Sequence, residues 1–147
     1  MNGRAIGVDP GLRGALALVE RRELIEVADI PVLAHQVDAW SLSRLLIEWG
    51  KVDMVAIEKV HAMPRQGVVS TFKFGMTLGT ILGIVATLDR SYILVSPRTW
   101  QHHHHLDGDK AAHIRKATEL WPSKRHLFEH HDGRADAALI AAAEPWR

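Results

Sequence analysis

The chain has 147 residues, 24% of them charged, with a formal net charge of +1; that suits one domain with one core and argues against a disordered chain. It contains no cysteine, which excludes disulfides, thiolate zinc sites and cysteine nucleophiles. A net charge so near zero neither requires nor rules out a nucleic-acid partner, because a local patch decides that.

Met1 to Arg4 lead straight into a strand pattern, without a cationic segment ahead of a signal-like apolar stretch. The longest apolar run, Ile81 to Leu88, is too short to span a bilayer. A cytoplasmic protein is expected. Arg4–Val8 is a short, mostly apolar run ending at Asp9, and Pro10-Gly11-Leu12-Arg13-Gly14 is a turn signal. Ala15–Val19 reads as a second strand, Glu20–Glu23 as a hairpin tip, and Leu24–Ile30 as a third strand stopped by Pro31. Val37–Trp49 puts Val37, Trp40, Leu42, Leu45, Leu46 and Trp49 on one helical face, with Gly50 as its stop. Val52–Ile57 is the next strand, and Glu58 sits at its end.

A loop through Pro64–Gly67 leads into a long helix, Val68–Leu88, in which Gly75, Gly79 and Gly83 recur every four residues. Glycine inside a helix costs about 1 kcal/mol. Three on one face imply close backbone packing, either on the sheet or on a dimer partner. Ser91–Val95 is a strand stopped by Ser96-Pro97, and Arg98–Leu106 is irregular or one short turn. Helices follow over Asp109–Leu120 and Asp132–Ala143. This order predicts a mixed α/β sheet with helices on its faces. A right-handed crossover through the first helix places the fourth strand beside the first, so Asp9 and Glu58 share one sheet edge.

Asp132 and Asp136 lie four apart, on one face of the last helix. Asp136 stands among Ala135, Ala137, Ala138, Leu139 and Ile140, where a carboxylate is costly to bury without a partner. A divalent cation is such a partner, and gathered carboxylates suit Mg²⁺ or Mn²⁺. Two such ions bridged by a shared aspartate can work on one phosphodiester, one activating water and the other stabilising the leaving 3′ oxygen. Plainer roles compete: Asp9 as a turn residue, Glu58 at a surface strand end, Asp136 in a salt bridge with Arg134 or Lys124, and Asp132 as a helix N-cap.

Ile6-Gly7-Val8-Asp9-Pro10-Gly11 with Gly14 resembles the first motif of the RuvC family of Holliday junction resolvases. Val55–Val60 is similar to its second motif, and Gly75–Gly79 to its glycine-bearing helix. Ser96–Trp100, Asp109-Lys110-Ala111 and Gly133–Ala137 complete the series, so the resemblance covers nearly the whole chain. The set looks closest to phage or prophage members. The resemblance implies one RuvC-type, ribonuclease H-like nuclease domain over residues 1–147. Its sheet would have five strands, the first three antiparallel, with helices on both faces.

It also implies a homodimer that binds four-way DNA junctions and cuts two strands, leaving 5′-phosphate and 3′-hydroxyl ends. Asp9 would bridge two Mg²⁺ or Mn²⁺ ions, with Glu58 and Asp136 as further ligands and Asp132 as a fourth. Arg98 would contact the DNA backbone and Lys110 would hold or polarise the scissile phosphate. Arg4, Arg13, Lys59, Arg65 and Lys73 would add phosphate contacts, which position DNA without reading it. The chain departs from the pattern in two places. The family's last helix carries its acids, or a histidine and an acid, three apart, which here falls on Gly133. The aromatic that probes the junction is replaced by His61. His102–His105 cannot all converge on one tetrahedral metal site, and a surface loop near the DNA-binding face is expected. His130 and His131 stand just before the final helix, where closeness to the acids would let either one assist proton transfer. Flap, three-way or fork DNA is the alternative substrate. A non-catalytic nucleic-acid-binding module is a further alternative, although its signature, loss of the acids, is not seen.

Overall fold

The structure, a computed structural model, describes residues 3–143. Strands β1 (Arg4–Asp9), β2 (Ala15–Glu20) and β3 (Glu23–Asp29) run antiparallel. The β1–β2 turn closes tightly: a Cβ on Gly14 would lie 1.9 Å from the Asp9 carbonyl oxygen. Arg21 and Arg22 turn the next hairpin with φ of 50° and 73°, the left-handed pair a two-residue loop needs.

A small hairpin follows that the hydrophobic pattern did not suggest, β4 (Val32–Leu33) and β5 (Gln36–Val37). Val37 therefore belongs to a strand, not to the helix. Helix α1 (Ala39–Glu48) begins after Asp38, whose carboxylate accepts from the Ser41 backbone N–H at 3.1 Å. Leu42, Leu46 and Trp49 are buried, but Trp40 is 74% exposed. It stands two residues before Leu42, about 200° round the helix, so it faces outward rather than joining that face.

Strand β6 (Met54–Glu58) pairs with β1 in parallel, Val8 beside Ile57. After helix α2 (Val68–Thr87), β7 (Tyr92–Val95) pairs in parallel with β6, Glu58 beside Val95. The sheet order is β3-β2-β1-β6-β7, as the crossover argument requires. Residues 98–103 are helical, and only 104–106 are turn or coil. Ser96 caps and Pro97 opens a helix, α3 (Pro97–His103). Helix α4 (Lys110–Leu120), a 3₁₀ turn over Pro122–Leu127 and helix α5 (Asp132–Ala142) complete the described chain.

The two sheet faces differ in side-chain size, and that sets which helices they take. Ile6, Val8, Leu16, Leu18, Val55 and Ile57 meet Leu42 and Leu46 of α1 and Ile81 and Val85 of α2. The opposite face offers Ala15, Ala17 and Ala56 to Ala135, Ala137, Ala138 and Ala141 of α5. Small residues on both sides let the α5 backbone come down onto the strands. Gly75, Gly79 and Gly83 do not take part in sheet packing. A Cβ on any of them would meet nothing within 4 Å, so the sheet-packing explanation of their spacing fails. By length and composition α2 is apolar enough to cross a membrane, although its unbroken apolar run is short. Yet Ile81 and Val85 pack it on the sheet, while Val68, Val69, Phe72 and Met76 on it are exposed.

Candidate active site

Four acidic residues gather at one end of the sheet. Asp9 closes β1 and Glu58 closes the adjacent parallel β6. Asp132 and Asp136 come in on the first turns of α5, which packs on β1 and β2. Asp132 is the first helical residue; His131 holds the N-cap position and makes no side-chain capping bond, so Asp132 is not the cap. Asp136 is 2% exposed. Its Oδ2 accepts from Lys110 Nζ at 2.6 Å, and its Oδ1 lies 2.7 Å from His113 Nδ1. Lys110 Nζ is also 3.4 Å from Asp132 Oδ2. The alternative pairing of Asp136 with Arg134 is ruled out by geometry: Arg134 makes a two-pronged pair with Asp29, at 2.7 and 2.8 Å.

The charges act on one another. Burial, followed by the charges of Glu58 and Asp136, pushes Asp9 up from 3.8 to about 7, against the pull of Lys110. Burial also raises Glu58, although Trp100 Nε1–H donates to its Oε1 at 3.0 Å. Burial alone would lower Lys110, but its bond to Asp136 and the acids around it hold it above its ordinary value. Buried carboxylates that resist ionising together are a candidate functional site.

The donor set fits a hard divalent ion: carboxylate oxygens on two strands and a helix, and no sulfur. Among the described residues, no three acid or imidazole groups stand closed around one point. A lysine ammonium occupies the space between Asp132 and Asp136. The position three before Asp136 is Gly133, and the reason is steric. A Cβ there would lie 2.8 Å from the Arg13 carbonyl oxygen and 3.2 Å from Asp9 Oδ2. Gly133→Asp, which would restore an acid at that spacing, is expected to lose about 1–3 kcal/mol of stability. Chemical denaturation would read this, and an unchanged midpoint would mean that the Arg13 turn yields freely.

The basic candidates separate into groups. Arg13 lies in the turn after Asp9, Lys59 directly follows Glu58, and Arg98 is in the first turn of α3 just beyond β7; all three are exposed at the carboxylate end of the sheet. Lys73 lines a groove on α2 with Gly11 and Leu12 of the β1–β2 turn. His61 and Arg65 are exposed on the β6–α2 loop, and Arg65 has φ of 67°. Arg4 does not belong with them. It begins β1, at the far end from Asp9, and its Nη2 donates to the Trp49 carbonyl at 2.7 Å.

The histidines also redistribute. His102 and His103 are helical rather than in a loop, and His104 is buried, its Nε2 2.8 Å from the Leu139 carbonyl oxygen. Burial brings His104 down to about 4. His130 and His131 are exposed, and with Arg13 and Asp132 they line a cleft of about 340 Å³. Sequence reasoning passed over His113 and Trp100 as site residues. His113 had a signal available, since it lies three after Lys110 on the same helix face.

No family model and no curated protein sequence matches the chain. Solved structures do. Thermus thermophilus RuvC in complex with Holliday junction substrate superposes with a TM-score of 0.67 at 16% identity, covering 95% of this chain and 91% of that one. The yeast mitochondrial Holliday junction resolvase gives 0.65 at 13% identity, covering 97% and 77%. The fowlpox virus Holliday junction resolvase gives 0.61 at 18% identity, covering 95% of each. The fold is thus the ribonuclease H-like fold of these resolvases.

Proposed function

We propose that this chain is a divalent-metal-dependent endonuclease acting on branched DNA, with the four-way junction as its preferred substrate. The observation that carries this reading is the meeting of Asp9, Glu58, Asp132 and Asp136 around Lys110 at one sheet end. The fold is shared with resolvases, one of them in complex with Holliday junction substrate, which supports the choice of DNA and of branch type.

Asp9, Glu58, Asp132 and Asp136 would hold two Mg²⁺ or Mn²⁺ ions, which supply an acidified water and neutralise charge on the phosphate. Arg13, Lys59 and Arg98 flank the acids on exposed ground and would bind backbone phosphates, with Lys73 extending the track along α2. Lys110 would exchange part of its contact with Asp136 for the scissile phosphate, which keeps an anion from facing bare carboxylates. Attack by water on phosphorus, with the 3′ oxygen leaving, gives 5′-phosphate and 3′-hydroxyl ends.

A second copy would complete the enzyme through α2. Gly75, Gly79 and Gly83 leave open space outside the helix, and Val68, Val69, Phe72 and Met76 leave it apolar. Small residues spaced by four let two helix backbones approach. A Cβ at Gly79 meets nothing within 4 Å, so Gly79→Arg should keep the circular dichroism of the parent while converting a dimer to a monomer in sedimentation. A parent that is already a monomer at tens of micromolar, or a variant that stays dimeric, would remove this interface.

The test of function is cleavage of labelled four-way, three-way, flap and linear duplex DNA with Mg²⁺ or Mn²⁺ and with chelator. Paired symmetric nicks in the four-way substrate, lost with chelator, are expected. Equal cutting of all branched substrates would replace junction selectivity with general debranching. Tight binding with no metal-dependent cutting would defeat the nuclease reading.

A further inference from the structure

Behind the carboxylates two buried rings meet. Trp100 of α3 is 0% exposed and His113 of α4 is 1% exposed. Their rings pack edge to face, with centroids 5.0 Å apart and planes at 69°. Each ring presents a nitrogen to a different acid: Trp100 Nε1–H donates to Glu58 Oε1 at 3.0 Å, and His113 Nδ1 sits 2.7 Å from Asp136 Oδ1. An ionised carboxylate only accepts, so His113 Nδ1 is the donor. The other ring nitrogen, Nε2, faces the Asp107 carbonyl oxygen at 2.5 Å in the α3–α4 connection; a carbonyl only accepts, so Nε2 donates as well and the ring carries both protons. His113 is thus held on both edges and on its face.

One oxygen of Glu58, from β6, and one of Asp136, from α5, are therefore fixed by donors that cannot rotate away. The second oxygen of Asp136 is left to point at Lys110. An apolar pair would fill the same volume without fixing either acid.

We propose that Trp100 and His113 form a clamp that sets the direction of Glu58 and Asp136 for binding a divalent ion. They are positioning residues, and the inference rests on the metal-nuclease reading above. Groups that orient metal ligands typically control metal affinity by 10- to 100-fold.

The test is Mn²⁺ uptake by the full chain without DNA, followed through the electron paramagnetic resonance signal of free Mn²⁺. Trp100→Phe keeps a ring and removes the donor. His113→Leu removes the donor, and His113→Asn returns one near the Nδ1 position. Trp100→Phe and His113→Leu should each weaken Mn²⁺ uptake about tenfold or more, and His113→Asn should recover most of it. Four-way junction binding in chelator should be unchanged throughout. Should one variant not fold, the other carries the comparison. Wild-type Mn²⁺ affinity in Trp100→Phe and His113→Leu, alongside loss in Asp136→Asn, would overturn the clamp and leave the nuclease reading standing. Equal weakness of His113→Asn and His113→Leu would assign the effect to packing and overturn the clamp too. No uptake by the wild-type chain would remove both.

Discussion

Asp9→Asn is expected to raise the melting temperature of the metal-free protein at pH 8 and, on the nuclease reading proposed above, to end cleavage of DNA. Asp9 is buried beside Glu58 and Asp136, and its proton affinity rises from 3.8 to about 7. Below about pH 4 the carboxyl is protonated in the folded and the unfolded chain alike, so it costs nothing. As pH rises from there towards 7 the unfolded chain ionises first, and folded stability falls. Above 7 the whole penalty is present, on the order of 3–4 kcal/mol. Asparagine keeps the shape and removes the charge. A gain on the order of 10 °C is expected at pH 8, shrinking towards pH 4. Mg²⁺ or Mn²⁺ should raise the melting temperature of the wild type and not of the variant.

Cleavage should fall about a thousandfold or more, since a metal centre contributes several kcal/mol to the barrier. Junction binding in chelator should survive, because the proposed phosphate contacts are made by exposed cations rather than by Asp9. A variant that melts lower than wild type at pH 8, or by the same margin at pH 5 and pH 8, would show that Asp9 is not strained by its neighbours. A variant that still cuts would remove it from the centre.

The acids were legible in the sequence for a reason that did not reach their partners. Asp9 and Glu58 end apolar runs, and one handedness rule makes those runs parallel neighbours, so local pattern and topology suffice to bring the two together. Asp136 was legible because a charge inside an alanine-rich run needs a partner. What that partner is depends on where α4 lies against α5. Lys110 was assigned to a phosphate by resemblance, yet here it pairs with Asp136 at 2.6 Å. Trp100 has no local signal, because its meaning lies in a contact across 42 residues of chain, and the spacing of His113 from Lys110 points to a shared face but not to Asp136, 23 residues on.

The fold shows the same division. Trp40 was counted with the buried face because it is large and apolar, but helix geometry turns it away from Leu42. The β4–β5 hairpin was missed because two-residue strands have too few positions to show alternation; Ala34 and His35 turn it at φ of 50° and 60°, which neither residue advertises. The spacing of the helical glycines leaves sheet and partner as rivals, and the empty space outside Gly75, Gly79 and Gly83 removes the sheet.

Gly7→Ala should destabilise the protein by about 3 kcal/mol or more, a fall in melting temperature on the order of 10 °C. A Cβ at Gly7 would sit 2.0 Å from the Ala137 carbonyl oxygen and 2.4 Å from the Ala141 backbone nitrogen. These are main-chain atoms of α5, so no side-chain rotation relieves the overlap. The helix must lift from β1 or the strand must bend. Gly7 lies two residues before Asp9, and Ala137 directly follows Asp136. The same contact that seats α5 therefore sets the distance between two of the acids. Cleavage should be lost even at temperatures where the variant remains folded, and Mn²⁺ should protect it from melting less than it protects the wild type. Gly79→Ala provides the opposite case in the same chain. Its Cβ meets nothing, and alanine favours a helix over glycine by about 1 kcal/mol, so the monomer should melt higher. A Gly7→Ala protein with wild-type melting and cleavage would mean that α5 can move without cost. The acids would then owe their arrangement to something other than a glycine beneath the helix.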